Sequence, residues 1–395
     1  MEILTDLVTM NQKWQSKLSF KVFAILFVMA FITNVTISNY QQTSNTALAA
    51  TTPKYTVYVS GSTYYATSST GSVITSSSSF ANVMNTINSK LVSGDLVLIQ
   101  NGLYYVTATI QITKSGVTIS GSGSTILQAT TCLNSLSVRI LELSGSNNIL
   151  TNIIFDANFN KCISPVVIIA GSYNTVQGCT FKNAIQYCLQ AWEALNFNII
   201  GNSFNKAQYA IATGGTSAYY CINGLISGNT IVDARDCGIK LKWAKNIVVT
   251  GNIIDTAYLT WTTSGSGSTT TGSVGIRFYM ADGPLVGITV SNNQIYDSKK
   301  VKQTYGVVVD VDAQKISSSL TITNNKITNC YTGVLSKWIN VVIKGNSISS
   351  SRNKGVDIWS TATANQIITN TLSADSIAIS ISSTGCIVSG NIICN

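Results

Sequence analysis

The chain has 395 residues, of which 45% are hydrophobic and only 10% are Asp, Glu, Lys or Arg, and it carries a formal net charge of +9. A chain this apolar can bury a large core and is not disordered, while its 29 Gly and abundant Thr argue against a helical bundle. It contains no histidine, which excludes Ser-His-Asp and Cys-His catalysis and His-ligated zinc and leaves an all-β protein of the secreted or cell-surface kind.

At the N-terminus, Lys13, Lys17 and Lys21 precede an eleven-residue apolar run from Val22 to Ile32. That length is short for a membrane span and fits the core of an export signal. The small residues Ala47-Leu48-Ala49-Ala50 follow a polar tract and offer a cleavage site. Residues 1–49 therefore read as a signal peptide or, uncleaved, as a membrane anchor with a polar linker. Residues 50–395 read as the folded domain. Without the first 49 residues the charge is +8, which favours a polyanionic partner such as an acidic polysaccharide. Nucleic acid is disfavoured, because no Lys/Arg-rich run is present.

The next segment runs Ser79-Phe-Ala-Asn-Val-Met-Asn-Thr-Ile-Asn-Ser-Lys-Leu91. Phe80, Val83, Met84, Ile87 and Leu91 share one helical face behind a Ser79 cap, so a short amphipathic helix is expected here. Strand-like segments follow, Gly94-Asp-Leu-Val-Leu-Ile-Gln-Asn-Gly-Leu-Tyr104 and Gly116-Val-Thr-Ile-Ser-Gly121.

From the middle of the chain onward one phrase recurs: Gly201-Asn-Ser-Phe, Gly228-Asn-Thr-Ile, Gly251-Asn-Ile-Ile, Asn292-Asn-Gln-Ile, Asn324-Asn-Lys-Ile, Gly345-Asn-Ser-Ile, Thr369-Asn-Thr-Leu and Gly390-Asn-Ile-Ile. Gly178-Cys-Thr-Phe and Asn152-Ile-Ile-Phe are degenerate earlier copies. A period in the low twenties with occasional insertions marks a solenoid. Strands this short cannot pair within one repeat, so each must stack on the next coil, with Ile and Val inside. Asn202, Asn229, Asn252, Asn325 and Asn346 should then form a single hydrogen-bonded ladder. The geometry is a right-handed parallel β-helix.

These repeats, with the capping helix ahead of them, resemble the pectate-lyase-like (pectin lyase fold) parallel β-helix superfamily over about residues 55–395. In that superfamily a helix covers the open end of the first coil. The resemblance implies the fold and leaves the activity open among lyases, hydrolases, epimerases, adhesins and tailspikes. The adjacent Asp pair and Gly-His-Gly segment of the polygalacturonase-type hydrolases are absent.

Register along the solenoid predicts an outward face. Placing Leu189, Ile239, Ile276, Val307, Val334 and Val356 inward puts two columns on the outside of one sheet. The outer column reads Trp192, Lys242, Tyr279, Asp310, Lys337, Trp359, and the second reads Gln190, Lys240, Arg277, Val308, Leu335, Asp357. A strand near Tyr209–Gly214 intervenes after the first members. Aromatic rings with cations between them suit sugar faces bearing carboxylates. Trp192, Tyr279, Lys337, Asp357 and Trp359 are thus candidate glycan-binding residues.

Asp310 and Asp312 share a face and could act as acid and base in inverting hydrolysis, or could together hold Ca²⁺. Lys240, Lys242 or Arg277 could serve as the base of a lyase. Asp233 and Asp236, read as a turn, either cap that turn or bind metal. The Ser/Gly-rich insertion around Trp261 should project beside this face as a lid or an extra stacking surface. Two functions remain open: an extracellular enzyme, lyase or hydrolase, on acidic polysaccharide, and a non-catalytic glycan-binding or structural β-helix protein of wall, sheath or adhesin type. Nine cysteines suggest some disulfides, with Cys386 and Cys394 placed to staple the last coil.

Overall fold

The computed structural model describes residues 52–394 except 131–138, 160–163, 258–272, 280–282, 301–302, 311–317 and 375. The expected signal or anchor, Trp261 and Asp312 lie outside the described residues. Pro53–Asn395 forms one compact unit.

Among the described residues, two long sheets of 17 and 20 strands are formed, and the coils pair in parallel from strand Leu96–Ile99 onward. The ladder begins differently, with a feature absent from the sequence reading. Tyr55–Ser60, Thr63–Ser68 and Val73–Ser77 form an antiparallel meander, which joins the parallel stack through Tyr55 beside Val97. The expected helix follows at Phe80–Lys90, with the Ser79 side chain accepting from the Asn82 amide. Phe80, Val83, Met84, Ile87 and Leu91 are all buried. On the same helix, Asn85 accepts from the Gln111 amide and Asn88 from Thr113, so the helix satisfies backbone donors of the first coil that it covers.

Why the chain coils is visible in the recurring phrase. Its first residue takes a left-handed conformation, φ +61° at Gly201, +65° at Gly251, +55° at Asn292 and +52° at Thr369. Gly and Asn tolerate that region best, which is why they dominate the position. The second residue is the ladder asparagine. Asn252 donates its amide and its Nδ2 to Asn293 Oδ1 at 3.0 and 2.9 Å, and Nδ2 also reaches the Ile226 carbonyl at 3.0 Å. The same pattern joins Asn202, Asn229, Asn252, Asn293, Asn325, Asn346, Asn370 and Asn391. Cys179 occupies the place one coil earlier, donating only its backbone amide to Asn202.

Inside, Leu189, Ile239, Ile276, Val307, Val334 and Val356 are fully buried in the predicted register. Burying each such side chain contributes about 1.5–3 kcal/mol. Phe155, Phe181 and Phe204 add a stack with ring centroids 5.1 and 4.9 Å apart. A second column, Gly238, Gly275, Gly306, Gly333 and Gly355, sits where coils come closest. A Cβ on Gly306 would lie 2.5 Å from the Gly333 carbonyl oxygen, so no larger residue fits without moving a coil. Cys386 and Cys394 are free thiols and do not staple the last coil.

Candidate functional site: the outward face of the coil stack

The register of both outward columns is as expected. Lys240 pairs beside Arg277, Arg277 beside Val308, Val308 beside Leu335, and Leu335 beside Asp357. Ala212 and Gly214 occupy the intervening coil, with Gly214 next to Trp192 and Ala212 next to both Gln190 and Lys240. Their small size has a reason: a Cβ on Gly214 would lie 2.7 Å from Trp192 Cε3 and 2.8 Å from Gln190 Nε2. Trp192 therefore spreads along the stack across the next coil.

The side chains are less exposed than a simple outward column implies. Trp359 stands out at 47% exposure, and Trp192, Lys242, Tyr279, Lys337, Arg277 and Asp357 are half-buried. Asp310, Lys240 and Gln190 are buried although they point away from the core. The cause is mutual packing. Val308 and Leu335 join Cys237 and Val274 in a small apolar cluster outside the barrel, flanked by Tyr209 and Tyr305. Long polar side chains then lie across this cluster rather than standing in water.

Those polar chains form one network. Arg277 Nε donates to Asp310 Oδ2 at 2.5 Å, and Lys337 Nζ donates to Asp310 Oδ1 at 3.3 Å. Arg277 Nη1 reaches Asp236 Oδ1 at 3.5 Å, and the Tyr209 hydroxyl donates to Asp236 Oδ2 at 2.5 Å. Aromatic rings take the cations: Lys240 Nζ lies 4.0 Å from the Tyr279 centroid and 4.6 Å from that of Tyr209. The Arg277 guanidinium is 5.1 Å from Tyr279, and Lys337 Nζ is 4.3 Å from Trp359. Tyr209 also stacks on Tyr187 at 4.7 Å. Asp357 belongs to a separate pair with Lys354 at 2.8 Å. Lys242 keeps its backbone tied to Thr213 in both directions.

The electrostatics follow from this arrangement. Burial works against the Arg277 charge, yet the ion pair and hydrogen bond with Asp310 outweigh it and hold the guanidinium above its ordinary pKa. Burial, reinforced by the Asp236 carboxylate, pushes the Tyr209 phenol far up, so it remains a hydrogen-bond donor.

Two members were missed or misplaced by sequence reasoning. Tyr209 had no assigned role, although its repeat of Tyr187 at the same coil position was visible. Asp236 was placed in a turn with Asp233, but both lie inside one long strand, Thr230–Leu241. A register irregularity opposite this stretch, between Ala207 and Tyr209, turns Asp236 toward the network. Both Asp310 oxygens are taken by cations, and among the described residues no three Cys, Asp or Glu side chains stand together to hold a metal.

The stacked parallel coils, the asparagine turn and the helix-covered first coil define a right-handed β-helix protein. The family described as "Right handed beta helix region" matches residues 166–372, just over half of the chain, and the protein belongs to it. No curated protein matches the chain. Among solved structures, a mannuronic acid specific polysaccharide family 6 lyase from human gut microbiota is similar, with a TM-score of 0.53 and 15% identity over 76% of this chain and 81% of that one. The lacto-N-biosidase of Eubacterium ramulus is similar with a TM-score of 0.56 and 12% identity, over 78% of this chain and 64% of its own. The tailspike of E. coli bacteriophage HK620 gives 0.55 and 12%, over 82% and 65%. At these identities the likeness is one of fold.

Proposed function

We propose that the outward face from Trp192 to Trp359 binds an acidic polysaccharide, with the protein exported or displayed at the cell surface. One observation carries the reading. Lys240, Arg277 and Lys337 are each seated on an aromatic ring of the same outward face, so stacking surfaces and cations lie side by side along it. Pyranose faces pack on such rings, and uronate carboxylates pair with the cations beside them. Along the described face, Lys240, Lys242, Arg277, Lys337 and Lys354 outnumber the carboxylates Asp236, Asp310 and Asp357, which leaves the face positive. The solved relatives named above include proteins acting on polysaccharide, which agrees with a polysaccharide partner.

The geometry favours binding over hydrolysis. Asp310 shares its two oxygens between Arg277 and Lys337, and Asp236 shares its own between Arg277 and Tyr209, so neither carboxyl faces a substrate alone. A second reading, elimination on a uronate, is favoured by the adjacency of Lys240 to Tyr279 and Arg277. That step needs a base beside the proton α to the carboxylate and cations to stabilise the developing charge. Lys240 in its neutral form would take the proton α to the carboxylate, the bond from the β carbon to the departing sugar oxygen would break, Tyr279 would give its hydroxyl proton to that oxygen, and Arg277 would meet the carboxylate.

Residues 50–395 should be incubated with a panel of uronate polysaccharides, with neutral glucans as controls. Salt-sensitive binding to uronates alone is the expected result. Absorbance from an unsaturated product would establish the elimination, and equal affinity for neutral glucans would overturn the acidic preference. Asp310→Asn sharpens the test: it releases Arg277 and Lys337, so uronate affinity should rise, whereas a catalytic acid at this position would show as lost turnover with unchanged affinity.

A further inference from the structure

Beyond the sheet face, the turn that follows it carries a second aromatic group. Thr216 and Tyr219 exchange backbone hydrogen bonds in a tight turn, which leaves Tyr219 64% exposed. Its neighbour Tyr220 meets Trp243 edge-on, with centroids 5.6 Å apart at 66°. Lys245 Nζ sits 4.3 Å from the Tyr220 centroid. Trp243 takes a left-handed conformation, φ +49°, directly after Lys242 of the outer column.

Glycines shape the space around that indole. A Cβ on Gly283, in the following coil, would fall 2.1 Å from Trp243 Cδ2 and 2.4 Å from Cε2 and Cε3. A Cβ on Gly215, in the preceding coil, would lie 3.2 Å from Trp243 Cβ. The indole thus rests on the bare backbone of Gly283, with the Trp243 Cβ close to Gly215 on the other side. The turn is also tied to the sheet face: Thr216 Oγ1 donates to Glu193, the residue after Trp192, at 3.2 Å.

A bulky aromatic in a strained conformation, laid along a turn beside a second ring and a cation, is not explained by the core. It repeats outside the sheet the same combination of ring and ammonium found at Tyr279 and Trp359. We propose that Tyr219, Tyr220, Trp243 and Lys245 form a further subsite for the acidic polysaccharide, one that carries the glycan from the Trp192–Lys242 part of the sheet face round the turn. The inference rests on the reading of that face as a polysaccharide site. Continuity through Trp192–Glu193 and Lys242–Trp243 connects the two, and Lys245 supplies the complement to a carboxylate.

The test uses the full chain and two polyuronates, alginate and polygalacturonate, as probes, with affinity measured by calorimetry at low and high salt. Three variants are compared: Tyr219→Ala, the double variant Tyr219→Ala with Lys245→Ala, and Trp359→Ala on the sheet face. Tyr219 is too exposed for its truncation to threaten the fold, and unchanged thermal midpoints would verify this. The double variant should bind the polymer that wild type binds about tenfold more weakly, the loss expected from one stacking contact with its charge, and its salt dependence should be shallower. Wild-type affinity in the double variant while Trp359→Ala loses affinity would overturn the subsite and leave the sheet-face reading standing. Failure of the wild-type protein to bind either polymer would overturn both.

Discussion

The asparagine turn and the outward column are built from the same coils, yet they differ in kind. The turn repeats one residue from Asn202 to Asn391, and from Asn202 to Asn370 it is buried with its amide and side chain bonded to the next coil. The column changes at every step: Trp192, Gly214, Lys242, Tyr279, Asp310, Lys337, Trp359. A ladder gains from identity, because each amide side chain satisfies the one before it and any exception orphans two neighbours. A binding surface gains from difference, since a ligand is recognised by particular groups at particular places. In a solenoid, then, repetition marks what holds the coils, and its interruption on one face marks what the coils display.

Substitutions can break this contrast, and the expected stability changes run from large to small. Asn252→Ala removes the acceptor for the Asn229 amide and Nδ2 and the donor to Ile226, so it should cost about 3 kcal/mol in denaturant unfolding while leaving glycan affinity in the surviving fold unchanged. A cost below a few tenths would show that the ladder is decorative. Gly306→Ala should cost about 2 kcal/mol, because its Cβ meets Ile327 and the Gly333 carbonyl at 2.5 Å and a coil must shift to admit it. Wild-type stability in that variant would mean that the coils have slack at their closest approach.

Alkaline titration extends the comparison to the thiols. Burial raises Cys221 to about 11 and Cys179 and Cys330 to about 12, from an ordinary value of 9.0. With folded values raised, the unfolded chain loses these protons first, so the stability they contribute is intact below pH 9 and declines as pH rises toward 11–12. The loss is about 1 kcal/mol per thiol by pH 10, and unfolding curves between pH 8 and 11 should reveal it. Cys394, exposed on the last coil, should react with a thiol reagent in the native state while these three do not. The smallest change belongs to the outward face. Trp359→Ala should alter stability by no more than about 0.5 kcal/mol yet weaken uronate binding by about 1–3 kcal/mol. A large stability loss with unchanged affinity would identify Trp359 as packing instead.

The fold was legible because its determinants are local and periodic. Asn229, Asn252 and Asn325 recur with the same Gly or Asn before them and the same Ile two residues on, and each copy repeats the same turn. The capping helix was legible for a similar reason, an apolar face at helical spacing behind Ser79. The antiparallel meander before it was not. Its Thr- and Tyr-rich strands alternate like any others, and only the pairing of Tyr55 with Ser68 distinguishes them from the first coil. The candidate site was half legible. Register alone placed Lys240, Arg277 and Asp357 in one column and Tyr279, Asp310, Lys337 and Trp359 in the other.

What register could not supply is which of these groups meet. Tyr209 donates to Asp236 and Asp236 pairs with Arg277 beside the point where the strand pairing slips between Ala207 and Tyr209, a displacement with no signature in local composition. Register could not show that Asp310, a candidate acid or metal ligand, pairs with Arg277 and Lys337, contributed by coils 33 and 27 residues away. The sequence by itself determined the coil, its inward residues and its turn, since each of these depends on neighbours at a constant spacing. The tertiary structure alone decided the pairing and burial of the outward side chains, because those depend on contacts between coils whose insertions differ in length.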